Sequence, residues 1–436
     1  MTDKYAPLLP NTLNHDKLVA ATTEEGAMLV NIWFGFFATA FVAALYQWLG
    51  LGHADIFSQL IQSTFDMAAL SVNVAIGLIG VLCFWLGLFK IAENSGLISI
   101  LSRGFEPLFL KLMPDIPRGH PAHGSMTMNI AANMLGLDNA ATPMGLKAMQ
   151  DLQTLNPSSD TASNAQILFL VINASSVTLF PVTIFMYRAQ QGSSDPTAVF
   201  IPILLATTAS TLTGLLSVAW VQKINLFNRV VLSYFAGFAL LMAGLASWLL
   251  SLPAADMASQ SSLLGNLILF SLIMLFLGWG WFKKNNIYDD FIDGAKQGFE
   301  VAVKLIPYLV AMLVAIGLLR TSGVLDGAIW ILDKGFSAFS INTDFIQALP
   351  TAFMKPLSGS GARAMMLETM HHFGVDSFPA TVSAIMQGST ETTFYVLAVY
   401  FGSVGIKHVR HTLACALLAD LAGITVAILA GYWFFH

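Results

Sequence analysis

Within the apolar run 378–406 a single side chain is charged, Glu391, and its neighbours are Gly388, Ser389, Thr390, Thr392 and Thr393, with Gln387 just upstream. An ionisable group deep in such a run is costly in lipid and usually faces a cavity, an ion path or a partner charge. The surrounding hydroxyls offer the hydrogen bonds that an ionised carboxylate needs. Glu391 is therefore expected to exchange a proton or help hold a cation. The plainer alternative is a permanent pair with Arg363, or a cap on a broken helix. A related pattern without the acid stands upstream, where Asn173, Ser175, Ser176 and Thr178 match Gln387, Ser389, Thr390 and Thr392, and Val177 stands opposite Glu391.

Two further stretches are rich in Gly, Ser, Asn and Pro. "NMLGLDNAATPMG" (133–145) holds Asn133, Asn139 and Thr142, and "KPLSGSGARAMM" (355–366) holds Ser358, Ser360 and Arg363. Gly359 and Gly361 after Pro356 make a poor helix interior, so 357–363 reads as a hairpin tip or a break between half-helices. Pro143 suits the first turn of a helix capped by Asn139 or Thr142. Irregular backbone at membrane depth survives only where protein buries it or where it lines a wet cavity. Half-helix starts facing the centre would favour an anionic group, and Arg363 adds a full charge. For a single Ser or Gly, close helix packing is an adequate explanation. The recurrence of both patterns in the two halves is what points to a site. Segments 133–145, 173–178, 356–363 and 387–393 are expected to assemble it, with their polar side chains as solute or ion ligands.

Other residues invite chemistry less. Asp420 reads either as a functional acid or as a bond to a neighbouring helix, with Thr211 or a nearby hydroxyl at the matching place in the first half. Asp66 belongs to a solvated face. His120 and His123 in "RGHPAHGS" lack a cysteine or carboxylate to complete a metal site and read as loop residues. Cys83 and Cys415 lie in distant apolar runs and read as reduced packing residues. No phosphate-binding G-x-x-x-x-G-K, H-E-x-x-H or G-x-S-x-G pattern occurs, so an enzyme is not expected. No cofactor is expected beyond a coupling proton or Na⁺. With a net charge of -5 and no basic stripe, nucleic acid is not an expected partner.

The elements that must position these groups follow from composition. Of 436 residues, 56% are hydrophobic and 10% charged, against about 25% charged in soluble domains. Apolar runs at 27–50, 67–89, 164–187, 196–222, 230–255 and 257–282 are long enough to cross a bilayer as helix, and 301–319, 378–406 and 412–436 complete the map. An all-α polytopic membrane protein is predicted, with membrane lipid as its surroundings.

The halves also repeat. "GLFKIAENSGL" and "GLLRTSGVL" each end an apolar run in a cation, Lys90 or Arg320, before Ser-Gly. Residues 1–26 are read as a cytoplasmic polar head, 27–222 as one repeat, 223–262 as a linker with one transmembrane helix, and 263–436 as the second repeat. A single linker helix inverts the second copy. Loop charges agree: Arg188 alone follows the hydroxyl-rich run of the first copy, while Lys407, His408, Arg410 and His411 follow that of the second. Inverted-topology repeats with broken helices or helical hairpins are predicted, with the N-terminus inside and the C-terminus outside.

"GLIGVLCFWLGLFKIAENSGL", "NMLGLDNAATPMGLKAM" and "INASSVTLFPVT" closely resemble the spore maturation protein A family. "IPYLVAMLVAIGLLRTSGVLD", "KPLSGSGARAMM", "DSFPATVSAIMQGSTETTFYVLAVYFGSVGIKHVRHTL" and "LLADLAG" resemble the spore maturation protein B family. The likeness covers about 27–222 and 263–436. Both belong to the Gate, or nucleoside-recognition, group, which is similar to parts of concentrative nucleoside transporters and of ferrous-iron uptake proteins. The resemblance implies membrane passage of a small solute without fixing which. Together with the residues, it leads us to expect an ion-coupled secondary transporter in the cytoplasmic (inner) membrane. Its solute would be small and polar or anionic, a nucleoside-like one included, and a homo-oligomer is compatible. The rival expectation is a non-transporting scaffold for envelope or cell-wall factors.

Overall fold

The computed structural model describes residues 15–135, 138–175, 178–253, 256–340 and 342–436, and of helix residues 15–29, 138–140, 246, 249 and 250 the backbone alone. The described part of the polar head belongs to α1 (His15–Leu51), so helix begins ahead of the predicted residue 27. The first half continues with α2 (Ile56–Asn94), α3 (Leu97–Leu112), α4 (Pro121–Met134), α5 (Asp138–Gln153), α6 (Asn164–Ser175), α7 (Val182–Gln190) and α8 (Phe200–Gln222). The linker helix is α9 (Arg229–Leu250). The second half runs through α10 (Met257–Phe282), α11 (Ile287–Thr321), α12 (Val324–Ser337), α13 (Leu349–Leu357), α14 (Gly359–Phe373), α15 (Phe378–Ser389), α16 (Thr393–Val404) and α17 (Thr412–Phe435). Among the described residues, six helices are long and apolar enough to span a membrane, from Val30–Leu51 to Thr412–Phe435.

Two predicted crossings, 164–187 and 378–406, are not continuous. The first is interrupted between α6 and α7, the second between α15 and α16. The cause is local. Pro181 has no amide to donate and sits at the start of α7. Thr390 is extended at φ −146°, ψ 174°, and helix resumes only after Thr392. Each half also carries a hairpin of short helices, α4 with α5 and α13 with α14. In the second, Ser358 is extended at φ −154°, and its hydroxyl accepts from Gly361 N, ending one helix while capping the next.

The halves embrace as an inverted pair. Gly87 packs against Phe291, Gly298 against Leu82 and Cys83, and Gly317 against Ser63 and Met67. Position numbers fall along α2 as they rise along α11, so the two long helices cross antiparallel. The same holds for α8 and α17, where Gly214 meets Ala419 and Gly423 meets Ser210. These two contacts exchange under one two-fold operation, because Gly214 and Gly423 are equivalent, as are Ser210 and Ala419. Small residues carry these crossings because lipid supplies no hydrophobic drive between helices and close backbone approach must do so instead.

The loops obey the same symmetry. At one end, Lys407 N and His408 N donate to Asp160 O, and Arg410 reaches Ala162 O and Asn164. At the other, Asp376 accepts from Ser193 Oγ, from the Ser194 amide at 2.9 Å and from Arg188 Nη2 at 3.0 Å. In each case the loop after one repeat's hairpin joins the loop after the other repeat's broken helix. Burial pulls the Asp376 carboxyl upward, but the bonds from Ser193 and Ser194 and the charge of Arg188 outweigh it and hold it below its ordinary value. A depressed folded-state pKa gives stability that is present above the unfolded pKa, about 3.9, and is lost as pH falls through the folded value. Asp376→Asn should therefore lower the melting temperature modestly at pH 7, and the gap to the parent should close as pH falls below about 3.9. Thermal melts across pH check this.

Candidate functional site

The two breaks meet. Glu391 N, in the second, donates to Ala174 O in the last turn of α6 at 2.9 Å, so each broken helix leaves backbone groups that the other satisfies. The first hairpin joins them through Leu179 N to Met134 O at 3.2 Å and Asn133 Nδ2 to Asn173 Oδ1 at 2.8 Å. The second hairpin brings its tip against the second break: a Cβ on Gly359 would lie 2.7 Å from Thr392 Oγ1. Only a residue without a side chain allows that approach.

Between them lies a cleft of about 80 Å³ lined by Thr178, Tyr187, Lys355, Gly359, Arg363, Gln387, Thr390, Glu391 and Thr392 among others. That is room for a few waters or a small ion, well short of the ~300 Å³ of an ordinary small-molecule pocket. A larger solute requires the hairpin tips to move. Two cations and one acid face the space. Arg363 spreads its guanidinium over the Tyr187 ring at 5.5 Å, a contact that holds its position without cancelling its charge. Gln387 is buried, and its Oε1 has no hydrogen-bond partner among the described residues. Gly359 begins the fifteen-residue α14, whose positive end adds to the two cations.

The predicted ligands divide. Thr178, Arg363, Gln387, Thr390, Glu391 and Thr392 line the cleft, and Ser358 and Ser360, 3.2 Å apart, form the tip beside it. Ser175 and Ser389 are fully buried, but their hydroxyls return to Ile172 O and Met386 O of their own helices. They face the glycine crossings at Gly214 and Gly423 and serve packing. Asn133 and Asn173 bond to each other outside the lining. Ser176 and the side chain of Asn139 lie outside the described residues. The predicted cap at Pro143 is corrected: α5 is already helical at Asp138, which puts Thr142 and Pro143 inside the helix. The loop reading holds for His120, which precedes α4, and is corrected for His123. His120 caps α4, with Ala122 N donating to its Nδ1, and His123 is buried within that helix.

Lys355 escaped the sequence reading. It is 4% exposed near the end of α13 and lines the cleft. A signal was available, since it is the only charged residue between Asp344 and Arg363. Asp420 is the second group placed by folding. Its Oδ2 accepts from Thr393 Oγ1 at 2.7 Å, and Lys355 and Glu391 are near enough for their charges to act on it.

Fold and site together define a multi-pass helical membrane protein in which two inverted repeats meet at a charged central break. The chain belongs to the nucleoside-recognition (Gate) family, whose model matches residues 75–190 and 302–407, one stretch in each half. It is similar to spore maturation protein A of Bacillus subtilis (strain 168), 46% identical over 149 residues, or 34% of this chain and 76% of that one. It is also similar to spore maturation protein B of the same organism, 44% identical over 151 residues, 35% of this chain and 83% of the other. No solved structure matches the chain.

Proposed function

We propose that this protein is an ion-coupled secondary transporter of the cytoplasmic membrane that carries a small anionic solute through the cleft between its two repeats. One observation carries the reading: both broken helices expose their breaks to the same space, and that space holds two buried or half-buried cations, Lys355 and Arg363, against the single acid Glu391. An excess of positive over negative side chains in the cleft, held by helix ends and hairpin tips, is expensive to maintain for packing alone. Against an anion it becomes binding energy. The inverted pair supplies a route for alternate access, because rocking one repeat against the other opens the cleft to either side in turn. Glu391 and Asp420 are the groups through which a proton or Na⁺ gradient would act.

The family description names nucleosides, so they belong in the same trial as carboxylates and phosphorylated solutes. Purified protein in sealed vesicles should take up one of these classes under an imposed Na⁺ or proton gradient, and Arg363→Ala should cut the initial rate at least tenfold. If no class moves under either gradient and Arg363→Ala leaves the cellular phenotype intact, the reading fails and a scaffold for envelope factors takes its place.

A further inference from the structure

We propose that Asp420 is the anchor of a buried Na⁺ site that shares Thr390 with the lining of the solute cleft, where the second break crosses α8 and α17. The inference deepens the transport reading and rests on it for its role, but the site can be tested without any solute.

Three buried oxygens on the segments that meet there have no hydrogen-bond partner among the described residues: Asp420 Oδ1, Thr390 Oγ1 and Ser210 Oγ. Their residues are 2%, 2% and 0% exposed. Gly423, one turn beyond Asp420, lets the side chains of Thr390 and Ser210 pack against α17, since a Cβ at that position would stand 2.9 Å from Thr390 Cγ2 and 3.1 Å from the Ser210 Cβ. Thr390 is close enough to act on the Asp420 carboxylate yet makes no hydrogen bond to it of acceptable geometry. Buried polar oxygens normally find partners, and an unpartnered carboxylate oxygen with two orphan hydroxyls on the facing segments is what a small cation needs. α15 ends at Ser389, the residue before Thr390, and unwound backbone at such a break can complete Na⁺ coordination.

The pseudo-symmetric position carries no such site. Thr211 stands where Asp420 does, and its hydroxyl already donates to Ser175 O at 3.4 Å. One ion per chain is therefore expected. Charge explains the link to the cleft. Counted formally, the positive charges of Lys355 and Arg363 and the negative charges of Glu391 and Asp420 cancel. An anion entering the cleft consumes the surplus positive charge, leaving Asp420 uncompensated in a low-dielectric interior, and a cation at Asp420 restores the balance. Anion and Na⁺ should thus favour each other's binding, which is reciprocal by linkage.

The test uses the purified full chain in detergent at constant ionic strength, with NaCl replacing choline chloride. Na⁺ alone should raise the melting temperature with saturation, because a ligand of the folded state stabilises it. Asp420→Asn should abolish the shift, and Asp293→Asn, at an exposed surface ion pair on α11, should keep it. Should Asp420→Asn fail to fold, Thr390→Val and Ser210→Ala each remove one oxygen and should raise the half-saturating Na⁺ concentration about tenfold. No Na⁺ response in the parent overturns the proposal, as does a response unchanged in Asp420→Asn or in both hydroxyl variants. Stabilisation by acid in place of Na⁺ also overturns it and makes Asp420 a proton carrier. Na⁺ binding without vesicle uptake of any solute would sink the transport reading and leave this site standing.

Discussion

Lys355→Met is expected to remove anion-induced stabilisation and to lower solute affinity by roughly ten- to a hundredfold, the factor that corresponds to about 1.5–3 kcal/mol for a charge-assisted hydrogen bond. The lysine is 4% exposed, on the short helix of the second hairpin, and its charge reaches the cleft and the carboxylate behind it. Methionine comes close to lysine in length and is apolar, so the packing around this buried position is disturbed little. Damage to the fold and loss of charge are separated by a companion variant. Glu391→Gln removes the one acid lining the same cleft and should tighten anion binding, by less than Lys355→Met weakens it because Glu391 is more exposed. Titration of solute against melting temperature reads both. Opposite signs support an electrostatic site, whereas two losses of similar size point to a packing role and overturn the assignment of Lys355.

Gly298→Leu should have the largest effect on stability. A Cβ at this position would lie 2.6 Å from both N and Cα of Cys83, and neither can move aside as a flexible side chain would. The neighbouring Gly294 is pressed in the same way on Leu86 O and Gly87 Cα. Overpacking a tight interior typically costs 1–3 kcal/mol, and the expected loss is at or above the top of that range, since the α2–α11 crossing holds one repeat to the other. The measurements are melting temperature and the fraction of monodisperse protein after extraction. Gly278→Ala, on α10 with open space around its would-be Cβ, is the control and should change neither. If Gly298→Leu melts with the parent, the antiparallel crossing does not join the repeats as tightly as described.

Much of this architecture was legible in the chain. Apolar run length and the scarcity of charge gave the crossings, since the bilayer enforces both on any spanning helix. The paired motifs gave the repeats, and one odd helix between them gave the inversion. Even the interruptions had a signature, for Pro181 and the run of hydroxyls around Thr390 are poor material for continuous helix. Their place was harder to read, because 164–187 and 378–406 are as apolar as any true span, and hydropathy averages over a short break.

What the chain could not reveal is which oxygens are left over once helices pack. Ser175 and Ser389 stand beside Glu391 in the pattern, yet both hydroxyls are used by the carbonyl three residues earlier. Asp420 and Lys355 are 65 positions apart in sequence and come within electrostatic reach only because the hairpin tip, the second break and the α8–α17 crossing share one layer. Hydropathy and helix capping are local properties and are written residue by residue. Whether a buried polar atom has a partner depends on which helix faces meet, and that is settled by the two-fold packing of the repeats.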